Sequence, residues 1–225
     1  MQLTEATLSV LRNFSEINKN LVVQKGKTLT TISEAKTIMG SAEIDIDFPQ
    51  DFGIYDTSEF LSCLALIDTP SIDFDAKYLT IAGPGNKLKY FFSDPELLTK
   101  PNADSFTKME GVFEDADTTV EIKEDQYLQL KRASATLKAT RLSIKGDEKS
   151  IVASVSDPGN DTANSYSLQL KDYEGAPFEY ALNMENLKIM RGDYEVTLSD
   201  KGLSRFKNTN SSMLYYIPLD KSKKD

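Results

Sequence analysis

Two cations seven residues apart, Arg12 and Lys19, come back as Lys131 and Lys138, each displaced by 119 positions. At about 100° per residue Leu3, Thr7, Val10, Phe14 and Ile17 gather on one side of a first helix, and Arg12 and Lys19 fall nearly opposite. In the second stretch Ile122, Leu130, Ala133 and Leu137 form the apolar side, with Lys131 and Lys138 in the equivalent basic places. Side chains of this kind on a solvated helix face have one chemistry in common, neutralising phosphate oxygens without reading bases. Arg132 and Arg141 add charge to the second helix and its end, and Lys188 and Arg191 precede a stop signal at Gly192. The competing reading is of ordinary solvated helix residues, which Glu5 and Glu16 on the first helix's polar side favour. Recurrence at equivalent positions in an acidic chain speaks for a concentrated positive surface.

Other chemistries find little to work with. The 225 residues include no histidine and one cysteine, which removes the commonest general base and metal ligand and any intrachain disulfide framework. Cys63 lies in an apolar run with Phe60, Leu61 and Leu64, the setting of a small buried side chain. Gly83-Pro84-Gly85 lacks the lysine and hydroxyl residue of a phosphate-binding loop and reads as a tight hairpin. The acids Glu43, Asp45, Asp47 and Asp73, Asp75 alternate with apolar residues as on half-buried strands, not as metal ligands. A hydrolase working through paired carboxylates would need two acids at one pocket, and no spacing here provides them. The chain is therefore expected not to be an enzyme and to need no cofactor or metal.

With a formal net charge of -9, nucleic acid cannot be coated by the whole surface, so any such contact is local. The first twenty residues lack the basic start and apolar run of a signal peptide, and no apolar stretch approaches the ~20 residues of a membrane helix. A soluble protein of the cytoplasm, without membrane contact, is expected.

The elements that position these groups are written twice. Leu3 to Arg12 lies over Ile122 to Lys131, with Leu3 on Ile122, Glu5 on Glu124 and Leu11 on Leu130. Each copy continues into a hairpin signal, Lys25-Gly26 in the first and Lys145-Gly146-Asp147 in the second. Phe52 to Leu61 then lies over Phe178 to Leu187, with Thr57 and Asn183 where helix N-caps would be. Strand-like runs follow, over 72–74, 78–82 and 88–93 in copy one and over 194–198 and 213–217 in copy two. The pattern predicts an α+β fold of two similar domains, each with two short helices on one face of antiparallel sheet. The boundaries are 1–104 for the first domain, 105–117 for a connector and 118–225 for the second. Phe106, Met109, Val112 and Phe113 are too many apolar residues for a solvated connector, so it should lie against a surface.

Leu11 to Asn18 (LRNFSEIN), and Asp172 to Gly175 (DYEG) followed by Asn183 to Lys188 (NMENLK), carry a resemblance. In these runs, and diffusely over its length, the chain resembles the sliding clamps of T-even-type bacteriophages, relatives of the eukaryotic and archaeal clamps. The resemblance implies a head-to-tail homotrimer closing a ring, with strands outside and helices around a hole for duplex DNA bound without sequence specificity. It implies Arg12, Lys19, Lys131, Arg132, Lys138, Lys188 and Arg191 on the DNA side, and phage DNA polymerase and a clamp loader as partners. Candidate subunit edges, by position in the family, are 88–93 of one copy and 166–170 of the next. Peptides of replication partners would dock at Phe106, Met109, Val112 and Phe113 and at Tyr216, Ile217 and Pro218. The alternative from another class is a phage structural ring component with the same duplicated subunit and no DNA contact.

Overall fold

The computed structural model describes residues 1–115, 118–160 and 162–220, and the chain divides into two compact units, Met1–Ala103 and Asp104–Asp225.

In the first unit, α1 (Glu5–Ile17) starts at Thr4, whose Oγ1 accepts from the Thr7 N–H at 3.1 Å. The Thr4 and Thr7 hydroxyls both donate to Asp45 Oδ1, at 2.8 and 2.9 Å, which fixes the helix start to the sheet below and holds the Asp45 carboxyl below its ordinary range. The helix buries Thr7, Val10, Leu11, Phe14 and Ile17. β1 (Leu21–Val23) pairs antiparallel with β4 (Phe52–Ile54), and β2 (Gly26–Ile32) with β3 (Met39–Phe48). On β3 the acids Glu43, Asp45 and Asp47 are exposed while Ile44, Ile46 and Phe48 are buried, as the alternation predicts. The hairpin expected across Lys25-Gly26 does not form a ladder of its own. β1 pairs with β4 and β2 with β3 instead, and the Lys25 N–H between them is engaged by Asp51 Oδ1 at 2.6 Å.

α2 (Thr57–Ala65) leads to a meander of β5 (Ser71–Phe74), β6 (Tyr78–Gly83) and β7 (Asn86–Phe91). Its N-cap is Asp56 and not Thr57: the Asp56 carboxylate accepts from the N–H groups of Ser58 and Glu59 at 3.0 and 3.1 Å. Gly83-Pro84-Gly85 is the expected hairpin, with Gly85 at φ +83. Phe48, Phe52, Phe74 and Phe92 form a ring cluster, the first two buried and the others half-buried, with closest centroids 4.9 Å apart.

The second unit opens with α3 (Ser105–Glu110), β8 (Thr118–Ile122) and α4 (Glu124–Leu137). Ile122, expected on the helix, ends β8. β9 (Arg141–Gly146), β10 (Ser150–Ser156), β11 (Tyr166–Asp172) and β12 (Phe178–Asn183) form an antiparallel sheet in the order β11-β10-β9-β12. Here the predicted hairpin is present, its turn held by Asp147, which accepts from the Lys149 and Ser150 N–H groups at 2.8 Å. β13 (Tyr194–Ser199), β14 (Leu203–Asn208) and β15 (Leu214–Pro218) make a meander, and β8 pairs with β13.

The duplication holds for most strand pairs, the β9–β10 ladder and β8 being present in the second copy alone among the described residues. α1 and α4 begin 119 residues apart, β1 with β4 corresponds to β9 with β12, β2 with β3 to β10 with β11, and the two meanders to each other. The last helix expected after Asn183 is a single 3-10 turn, Met184–Asn186. Asn183 caps it as predicted, accepting from the Glu185 N–H at 2.8 Å. The chain then leaves helical geometry because Leu187 and Ile189 are both buried with Lys188 exposed between them, an alternation no helix makes. Among the described residues no helix is long and apolar enough to cross a membrane.

Candidate nucleic-acid interface

The cations of the two repeats occupy unlike surroundings. Arg12 is 54% exposed at its side chain and pairs with Glu5, two turns earlier on the outer face of α1. Lys19, just past the end of α1, sits 3.5 Å from Asp56 and 5.2 Å above the Tyr55 ring. The Asp56 carboxyl is held below its ordinary value, first by the Glu59 N–H and then by Lys19, so this partner stays charged.

On α4 no acid answers. Lys131 lies 5.5 Å over the Tyr127 ring, Arg132 and Lys138 are exposed, and none of the three forms an ion pair among the described residues. Lys138 ends the helix in the left-handed conformation at φ 54, where its N–H reaches back to the Ser134 carbonyl. The buried face of α4 is Tyr127, Leu130 and Ser134, with Ala133 and Leu137 only half covered. Ser134 is accepted in the core because its hydroxyl donates to the Ala139 carbonyl at 2.6 Å. Tyr127 was not anticipated; its hydroxyl donates to the Leu187 carbonyl at 2.8 Å, which brings the exposed Lys188 segment against α4. Arg191 is exposed farther along the same irregular segment.

The connector residues and the C-terminal strand meet. Phe113 stacks on Tyr216 with centroids 5.9 Å apart, and Phe106 lies 6.1 Å from the same ring. Burial pushes the Tyr216 hydroxyl well above its ordinary value, and its hydrogen bond to the Glu110 carboxylate pushes the same way. Glu110 also pairs with Arg205, which lies 5.2 Å from the Phe113 ring and donates to Thr197 Oγ1 at 3.3 Å. Arg205 is the residue that sequence reasoning missed, since one arginine on an unrecognised strand gives no signal by itself. Ile217, Tyr216 and Phe113 are buried, leaving Phe106, Met109, Val112 and Pro218 half exposed. Cys63 is half exposed on α2 and not the buried side chain expected, because it lies on the helix flank beyond Phe60 and Leu64.

Comparison with known proteins gives a consistent set of matches. The family described as "DNA polymerase processivity factor" matches residues 4–93, and the one described as "gp45 sliding clamp, C terminal" matches residues 119–220. The chain is 29% identical to the sliding clamp of Vibrio phage KVP40 over 98% of its length and 99% of the relative's. It is likewise 29% identical to the sliding clamp of Escherichia phage RB69, over 98% of each. Among solved structures, A. fulgidus PCNA bound to the C-terminal region of FEN-1 superposes with a TM-score of 0.70 at 12% identity, covering 96% of this chain and 95% of that one.

Proposed function

Because the chain belongs to the DNA sliding clamp family, we propose that it is one subunit of a ring that encircles duplex DNA and tethers a phage replicative polymerase for processive synthesis. The observation that carries this reading is the duplicated helix that keeps exposed cations on a chain of net charge -9, with Lys131 and Lys138 unneutralised on α4. Such a surface attracts phosphate locally while the rest of the molecule stays acidic. Contacts of this kind hold no sequence, so they permit sliding, and retention comes from closure of the ring. Arg12 and Lys19 in the first unit, and Lys188 and Arg191 in the second, are further exposed cations of the same kind. The non-DNA-binding structural ring is not favoured by the matches.

Two units of one fold per chain tile a six-domain ring with three copies, head to tail, and the open edges β7 and β11 are the strands that would join. Partner peptides would dock where Phe106, Met109, Val112 and Pro218 stay half exposed around Tyr216. Opening would fall to a separate loader, and the chain itself would turn over no ATP in the cytoplasm of the infected host. The test is the native mass of the purified chain, about three times 25.1 kDa for a trimer, together with primer extension by phage polymerase and loader with and without it. A strictly monomeric chain, or extension products of unchanged length, overturns the reading.

A further inference from the structure

Two opposite charges without an ion pair among the described residues each stand beside an outer strand of a sheet, one beside β7 and the other beside β11. Glu59 on α2 and Arg132 on α4 form no ion pair among the described residues. β7 is the outer strand of β5-β6-β7, and β11 is the outer strand of β11-β10-β9-β12.

On β7 the half-buried row is Leu88 and Tyr90, and the Tyr90 ring packs 5.1 Å from that of Phe60 on α2. Glu59 and Cys63, one turn apart, flank the Tyr90 hydroxyl, which is pushed up to about 12 by burial first and then by Glu59. On β11 the half-buried row is Tyr166, Leu168 and Leu170. Tyr166 donates to Gln129 Oε1 at 3.1 Å and Gln126 to the Leu170 carbonyl at 3.4 Å, so this row lies under α4. A hollow of about 430 Å³ remains between α4 and the start of β11, walled by Gln129, Arg132, Ala133, Thr136, Leu137 and Tyr166.

The two edges fit only one way. Laid antiparallel, the end of β7 at Tyr90 meets the start of β11 at Tyr166, the two half-buried rows become one, and the Glu59–Cys63 flank of α2 comes over the hollow beside Arg132. Laid parallel, Tyr90 would meet Leu170 and Glu59 would approach the acidic start of α4 at Glu124 and Asp125, a like-charge contact. We propose that the occupant of the hollow is α2 of a second copy of this chain, and that Glu59 of one copy pairs with Arg132 of the next. Arg132 is then an assembly residue and not a DNA ligand, unlike the role expected for it beside Lys131. This rests on the ring reading above and names the side chains that select the neighbour.

The test is sedimentation velocity of the full chain over a dilution series, for the wild type, Glu59→Arg, Arg132→Glu and the double reversal. Each single reversal is expected to raise the concentration of half-assembly by about tenfold or more, and the double to recover most of that loss. Thermal melting confirms that the variants are folded, and Glu59→Gln with Arg132→Gln gives smaller shifts of the same sign where a reversal misfolds. Singles that assemble like the wild type, or a double no better than either single, overturn the pairing while leaving the ring. A wild-type chain monomeric at every concentration overturns the ring reading and the pairing with it.

Discussion

Asp56 and Lys19 join the start of α2 to the end of α1: the Lys19 ammonium lies 3.5 Å from Asp56 Oδ2, while the other carboxylate oxygen caps α2 through Ser58 and Glu59. The acid thus closes one helix and restrains the cation that follows the other. Its folded pKa lies below the ordinary 3.8, so its contribution is present above that value and is lost as pH falls through the lower folded value. Asp56→Ala is expected to cost about 1 kcal/mol of stability at neutral pH. The difference in melting temperature from wild type should narrow as the pH is lowered below 3.8, and a difference constant across that range contradicts the assignment.

Pairing of Arg12 with Glu5 and of Lys19 with Asp56 predicts unequal shares in DNA contact. Lys131→Ala with Lys138→Ala should weaken DNA retention and flatten its dependence on salt, since each lost phosphate contact lowers the logarithmic slope by about 0.9. Arg12→Ala with Lys19→Ala should do less, because those charges are already answered. Retention of loaded clamp on circular DNA at several salt concentrations separates the two, and equal effects refute the inequality.

Removing Phe113 should loosen residues 105–113 from the strand that carries Tyr216. The ring is buried between Tyr216 and Arg205, so Phe113→Ala is expected to cost about 3 kcal/mol. Protease cleavage within 105–115 should accelerate accordingly, and an unchanged cleavage rate shows that the packing contributes little. Glu110→Gln keeps a hydrogen-bonding group but removes the charge facing Arg205, and should produce the weaker form of the same effect.

Gly53 is required by space and not by conformation. A Cβ there would stand 2.5 Å from the Ser93 carbonyl oxygen, and that backbone is bridged to Gly53 by the Ser93 N–H at 2.9 Å. Gly53→Ala should destabilise the first unit by about 1–3 kcal/mol, read as a drop in the urea midpoint. A midpoint equal to wild type means that the 93 segment moves freely.

Elements whose local signal agreed with their burial were legible. The duplicated first helices, the Asp147 turn, the Gly83-Pro84-Gly85 hairpin and the alternating acids of β3 needed nothing from distant residues. Legibility failed where two local answers were equally good chemically. Asp56 and Thr57 are both capping residues, and which one caps depends on Thr57 being buried, where its hydroxyl finds no hydrogen-bond partner. Residues 187–190 carry helical spacing and also alternate, and the hydroxyls of Tyr127 and Tyr215, arriving from far along the chain, with that of nearby Tyr194, bind the backbone in its non-helical form. The α4 cations were visible by type and spacing, but their freedom from acids was not, because an ion pair is a property of positions in space. Arg205 could not be found from sequence at all, since Glu110 is 95 residues away.

The open edges of β7 and β11 carry a risk besides the role proposed for them. Unpaired N–H and C=O groups recruit any extended strand, which is how sheets grow into aggregates. A newly folded chain that has met no neighbour presents both edges, and β7 answers with Lys87 and Lys89 on its exposed row. Those lysines obstruct stacking of a second β7 on the first by like charge, while β11 offers only Ser167, Gln169 and Lys171 before Asp172 on its corresponding face. The proposed ring would cover both edges, so dilution or a chaotrope that separates its subunits should expose the chain to precipitation before it unfolds.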